Sequence, residues 1–141
     1  MAAASKTVTI DAPVEKVFEV ISAYDQYPQF LSEVKELRTS NRQGNKVDVH
    51  YKVEVMKTIR YTLRMNEEPP RKVSWSFVEG DFMKDNQGSW TLEPEGDGKT
   101  KATYSIEMKL GALVPGSIVK ALVETSLPKM LEAFKKRAEG R

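Results

Sequence analysis

Apolar and polar residues alternate most regularly in the middle of the chain. Val47, Val49, Tyr51, Val53 and Val55 fall on one parity, with Asp48, His50, Lys52 and Glu54 between them. Ile59, Tyr61, Leu63 and Met65 resume the pattern after a short break. A period of two sends alternate side chains to opposite faces, so both segments read as strands that are apolar on one face only. Cross-strand neighbours share a face, so pairing Val55 with Ile59 needs an odd-length connection, which residues 56–58 supply. Val73, Trp75 and Phe77 alternate before the break at Gly80-Asp81. Gly88, Trp90 and Leu92 share a face ahead of a turn over residues 95–98, and Ala102, Tyr104, Ile106, Met108 and Leu110 make the last strand. Val8 and Ile10 mark a short strand over residues 6–10, and residues 33–40 form a weaker one closed by Gln43-Gly44-Asn45.

The helical period appears twice. Val14, Val17, Phe18 and Ile21 follow the i, i+3, i+4, i+7 spacing of one helix face, with Asp11 placed to cap and Pro13 in the first turn. Residues 24–31 follow as two short helical turns or a packed loop, because Pro28 biases Tyr27 away from helical geometry. Ile118, Val119, Leu122, Val123, Leu127, Met130, Leu131 and Phe134 then predict a helix from about Pro115 to Ala138, kinked at Pro128. Its ~24 residues would span ~36 Å. Strands grouped together, with helices segregated to the two ends, indicate an α+β fold. The expected architecture is one domain over residues 1–141, a curved antiparallel sheet of about seven strands around the C-terminal helix. One helix is narrow beside such a sheet, so a pocket is expected between them.

Composition narrows the chemistry. The 141 residues are 40% hydrophobic and 30% charged, ordinary for a globular protein, and the net charge is only +2. Nucleic-acid binding through phosphate neutralisation needs a concentrated basic face, so no nucleic acid is expected as partner. There is no cysteine, and the one histidine, His50, falls on the polar parity of its strand and is expected to face solvent. A zinc site or a Ser-His-Asp triad is therefore not expected, nor is a cofactor. No leader-like apolar run and no ~20-residue apolar stretch is present, so the default reading is cytoplasmic.

The apolar parity nominates the lining of the pocket: Tyr51, Tyr61, Leu63, Trp75, Phe77, Trp90, Tyr104, Ile106 and Met108 from the sheet. Ile118, Leu122, Ser126 and Met130, spaced by four, would face it from the helix. Tyrosine and tryptophan add a few directional polar groups to an apolar wall, the usual makeup of a small-molecule site. Leu113 and Val114, in an apolar loop punctuated by Gly and Pro, are expected at the cavity mouth, in transient contact with a membrane or a partner. Arg60 and Arg64 have the solvent parity, and the facing of Glu36 and Arg38 is open. No acid–base pair emerges, and catalytic residues are not assigned.

Four segments carry a family resemblance. Residues 8–18 (VTIDAPVEKVF) resemble the opening of the START/Bet v 1-like superfamily. Residues 24–31 (YDQYPQFL), 88–94 (GSWTLEP) and 130–138 (MLEAFKKRA) are similar to its polyketide cyclase/dehydrase and coenzyme Q-binding branch. The resemblance implies a helix-grip fold, with two short helices after the first strand. Relatives of this kind bind lipids, quinones, polyketides, sterols or plant hormones, and some partner proteins or ribosomes. Binding or carriage of a small hydrophobic ligand is the expected function, without catalysis. The alternatives are an aromatase/cyclase-type enzyme using the same cavity and a protein-interaction module resembling ribosome-associated toxin-like proteins. A buried Arg, Glu or Asp beside the tyrosines would favour the enzyme.

Overall fold

The computed structural model describes residues 2–55 and 57–140. Seven strands form one antiparallel sheet in the order β1-β7-β6-β5-β4-β3-β2. They are β1 (Ala2–Ile10), β2 (Val34–Gln43), β3 (Lys46–Glu54), β4 (Thr58–Glu68), β5 (Lys72–Gly80), β6 (Met83–Pro94) and β7 (Thr100–Leu110). Between β1 and β2 lie α1 (Val14–Ser22) and a 3-10 helix (Tyr24–Gln29). After β7 come α2 (Gly116–Ala121), a π-helical turn (Leu122–Ser126) and α3 (Leu127–Ala138). This is an α+β helix-grip fold, a curved sheet closed over the C-terminal helix.

The alternating residues meet where the pattern sends them. Val47, Val49, Ile59, Leu63, Met65, Val73, Trp90, Leu92 and Ala102 are buried in one core with Val17 and Ile21 of α1 and Leu131 and Phe134 of α3. Polar pins fix the far end of the sheet. Tyr24 donates to Glu67 Oε2 at 2.6 Å, and Arg42 approaches the same carboxylate through Nη1 at 2.7 Å and Nη2 at 3.3 Å. A buried carboxylate needs such partners, because leaving it unpaired costs several kcal/mol, on the order of a buried ion pair broken on one side.

Two local expectations are corrected and two are refined. The β3–β4 register pairs Val53 with Ile59 and Glu54 with Thr58, so the loop is residues 55–57 rather than 56–58. Its length stays odd, so every side chain keeps its expected face; Met56 itself lies outside the described residues. Asp11 does not cap α1, whose N-cap is Pro13; the Asp11 N–H instead donates to Glu139 Oε2 at 2.8 Å, tying the start of α1 to the end of α3. His50 is on the outer face as its parity requires, yet it is wedged between neighbours rather than free in solvent. Its Nε2 lies 2.7 Å from Ser40 Oγ and its Nδ1 2.9 Å from Thr62 Oγ1. The C-terminal helix runs unbroken, with Ala121, Leu122, Ser126 and Leu127 all at helical dihedrals, and takes up its irregularity in a π turn. A π turn precedes Pro128, which then stands in the first turn of α3, where a missing N–H is tolerated.

Candidate functional site

Between the concave sheet face and the C-terminal helix lies a cavity of about 190 Å³. Register sets its depth. Trp90 pairs with Tyr104 and Trp75 with Met65, and together with Tyr27 and Phe134 these form the floor. Tyr51 and Tyr61 are directly cross-strand and stack at 4.9 Å between centroids, 12° from parallel, forming the middle of one wall. Leu122, Val123, Ser126 and Met130 close the opposite side. Towards the tip where the β3–β4 loop lies, the walls are Val55, Met108 and Asn86. Ser32 and Lys129 are lining residues that are also exposed, so the cavity reaches the surface beside them.

The wall is mostly apolar, and its polar groups fall into two sets. The first set is already partnered. Trp75 Nε1 donates to Asn86 Oδ1 at 3.0 Å, the Tyr27 hydroxyl donates to the Ile21 carbonyl, and Ser126 Oγ donates to Glu33 Oε2 at 2.8 Å. The second set is free: among the described residues the hydroxyls of Tyr51, Tyr61 and Tyr104 and the indole N–H of Trp90 have no hydrogen-bond partner. No side-chain polar atom sealed from solvent is left without a partner, so these four groups, all on lining residues, are not sealed off. Burial pushes all three phenols above their ordinary pKa, with Tyr61 raised further by the Glu33 carboxylate. They are neutral donors at physiological pH.

Of the residues nominated by parity, Tyr51, Tyr61, Leu63, Trp75, Trp90, Tyr104, Ile106 and Met108 line the cavity from the sheet. Leu122, Ser126 and Met130 line it from the helix side. Phe77 does not. Pairing between β5 and β6 stops at Trp75 and Gly88, and a register shift follows Thr62, so β5 peels away and carries Phe77 to the edge of the core. Ile118 is buried in α2 one turn ahead of Leu122, outside the lining. Leu113 and Val114 are also outside it; Leu113 projects from the β7–α2 loop with 91% of its surface exposed.

The nominations omit Glu33, Asn86, Tyr27 and Lys129. Asn86 shares the parity of Gly88, Trp90 and Leu92, so extending that pattern backwards would have found it. Glu33 and Tyr27 lie in segments without a period and carry no such signal. The unassigned Glu36 and Arg38 sit with His50, Lys52 and Arg60 in a separate open groove on the outer face. Arg64 is also outside, holding Asp48 through Nε at 2.8 Å and Nη2 at 3.2 Å, which keeps the Asp48 carboxyl below the usual carboxylate range. Among the described residues no group of three or more His, Asp or Glu side chains is arranged to hold a metal ion, and no helix is long and apolar enough to cross a membrane.

The fold recurs in solved structures of low sequence identity. The Zhui aromatase/cyclase from a Streptomyces species superposes with a TM-score of 0.89 at 18% identity, over 99% of this chain and 94% of that one. A START superfamily protein from Mycobacterium smegmatis gives 0.84 at 22% identity, over 98% and 97%. A STAR-related lipid transfer protein from Xanthomonas axonopodis gives 0.80 at 18%, over 96% and 85%. At these identities the likeness establishes the fold alone. No curated protein matches significantly in sequence. The family model described as polyketide cyclase/dehydrase and lipid transport matches residues 1–139. Nearly the whole chain is thus covered, and the protein belongs to that family.

Proposed function

We propose that the protein binds a compact hydrophobic molecule bearing acceptor oxygens in the cavity between sheet and helix. One observation carries this reading: four donors, on Tyr51, Tyr61, Tyr104 and Trp90, face an apolar cavity with no partner in the protein. A ligand carbonyl or hydroxyl would supply that partner, each hydrogen bond contributing ~0.5–1.5 kcal/mol net. The volume limits size. About 190 Å³ exceeds the ~150 Å³ that accepts benzene in an engineered cavity. A molecule of one or two rings fits, or the head of a longer chain that leaves through the mouth. Burial of its apolar surface would drive affinity at ~25 cal/mol per Å², less the ordering costs.

The chain's two tryptophans, Trp75 and Trp90, both line the cavity, so their emission reports occupancy directly. Native mass spectrometry of the purified protein, then solvent extraction, identifies any retained compound, and fluorescence titration with aromatic ketones, quinones and fatty acids ranks the classes. Saturable binding of an oxygen-bearing ring compound is expected. No retained mass and no emission change across the panel would sink the reading.

A second reading is favoured by Glu33. This half-buried carboxylate lines the cavity together with Tyr61 and accepts a hydrogen bond from Ser126 Oγ. A carboxylate base beside a phenolic donor is the arrangement that proton transfer in a cyclisation needs. Glu33→Gln would then leave ligand affinity within about threefold while abolishing turnover of a polyketide-like test substrate.

A further inference from the structure

The sheet ends in an apolar tip that its own core does not use. Three loops gather there: residues 55–57 between β3 and β4, residues 81–82 between β5 and β6, and residues 111–115 between β7 and α2. The Gly111 N–H donates to the Phe82 carbonyl at 2.8 Å, and Lys57 Nζ stands 3.5 Å from the centre of the Phe82 ring. The exposed large hydrophobic residues of the described chain, Leu113 at 91%, Phe82 at 41% and Val78 at 39%, all belong to segments that end at this tip. Phe82 is also strained by its backbone, since its φ of 59° lies in the left-handed region that a bulky residue seldom adopts. A turn needing only this geometry would be served better by Gly or Asn. An aromatic ring kept there against both backbone and solvent preference points to a use outside the fold.

We propose that this tip docks on a lipid bilayer, with Leu113 and Phe82 entering the acyl region and Lys57 at the level of the headgroups. The form of the patch selects the occupant. Its exposed apolar side chains come from separate loops, Leu113 between β7 and α2 and Phe82 between β5 and β6, and a fluid phase accepts such separate projections. Lys57 holds a cation over the ring to be inserted, and its long stem lets the charge move out to a lipid phosphate as the ring enters. Lys84, Lys109 and Lys120 lie on the adjoining segments against Asp81, Asp85 and Glu124, and Glu124 is 3.9 Å from Lys120. Glu54 and Glu79 on the same segments offset that count, so insertion supplies most of the affinity and Lys57 gives a local preference for anionic headgroups.

Continuity with the cavity supplies the purpose. Val55, just beyond β3, and Met108, near the end of β7, are lining residues, so the cavity extends to the end of the sheet that would meet the bilayer. Only this delivery role rests on the ligand-binding reading; docking itself is read from the tip.

Flotation with vesicles of phosphatidylcholine, with and without phosphatidylglycerol, tests it. The wild-type chain is expected to float with both and more strongly with the anionic mixture. Leu113→Ser combined with Phe82→Asn, which suits the left-handed backbone, is expected to lower partitioning at least tenfold with an unchanged melting temperature. Lys57→Gln should remove part of the anionic preference while leaving binding to phosphatidylcholine. Uptake of anilinonaphthalene sulfonate from solution should be the same in the double variant as in the wild type. A wild-type chain that stays unbound with both vesicles, or a double variant that floats equally well, overturns docking. So does a dimer in light scattering that the double variant dissolves while neither floats. Flotation that persists when no cavity probe binds would refute the ligand reading and leave docking standing.

Discussion

The five tyrosines divide by what their hydroxyls meet. Tyr24 is satisfied by Glu67 and Tyr27 by the Ile21 carbonyl, whereas Tyr51, Tyr61 and Tyr104 have no protein partner. Removing an oxygen should therefore act in opposite ways. Tyr24→Phe strips a hydrogen bond from a buried carboxylate and is expected to cost ~1–3 kcal/mol in urea denaturation. Phe at 51, 61 or 104 should change stability by less than ~0.5 kcal/mol, while weakening an oxygen-bearing ligand about tenfold per hydroxyl. Equal destabilisation in both groups would show that the cavity phenols serve packing. The alternation of β3, β4 and β7 made the second group legible, because a strict period of two assigns facing without any knowledge of partners. Nothing comparable marks Glu33. It stands in a bend before β2, and its place at the cavity depends on how that bend packs against Ser126, ninety-three positions away.

At the scale of elements, β6 depends on one residue without a side chain. A Cβ built on Gly88 would lie 2.2 Å from the Ser105 carbonyl oxygen and 2.6 Å from Trp75 Cζ2. The first atom is backbone of the paired strand β7, and the second is the ring that reaches across β6 to donate to Asn86. Neither yields cheaply, so Gly88→Ala is expected to cost ~3 kcal/mol and to shift Trp75 emission, read by urea unfolding and fluorescence. A cost below ~0.5 kcal/mol would mean the strands relax freely there. The sequence places Gly88 on the inward parity with Trp90 and Leu92, so its location was readable while the close approach was not. The helix shows the same division. Its apolar positions predict the element from Pro115 to Ala138, and Pro128 predicts an irregularity. How that irregularity is absorbed, as a π turn before Pro128, depends on packing against the sheet and Glu33. Phe77 marks a further limit: parity assigned its face correctly, but the separation of β5 from β6 is a property of the whole sheet.

For the molecule as a whole, every tyrosine is held as a neutral phenol. Burial is the leading cause of a raised pKa at Tyr24, Tyr27, Tyr51, Tyr61 and Tyr104, and Glu67 adds to it at Tyr24 through its hydrogen bond and charge. The unfolded chain ionises these groups near pH ~10. Below that pH both states hold the five protons and the contribution to stability is fully present. Above it the unfolded state releases protons that the folded state retains, so stability falls as pH rises towards the folded values. Five groups shifted the same way make that fall steep, and opening the core at any point exposes rings that touch one another: Tyr27 contacts Tyr24, Tyr51 and Phe134 within 6.5 Å. The expected titration is therefore cooperative. Phenolate absorbance should stay flat through pH ~10, then rise in one step that coincides with loss of circular dichroism, and a bound ligand should move that step to higher pH. Smooth ionisation of Tyr51 and Tyr61 near pH ~10, with the fold intact, would mean that water fills the cavity freely and that its donors are already solvated. That single result would remove the energetic reason for a ligand to bind there.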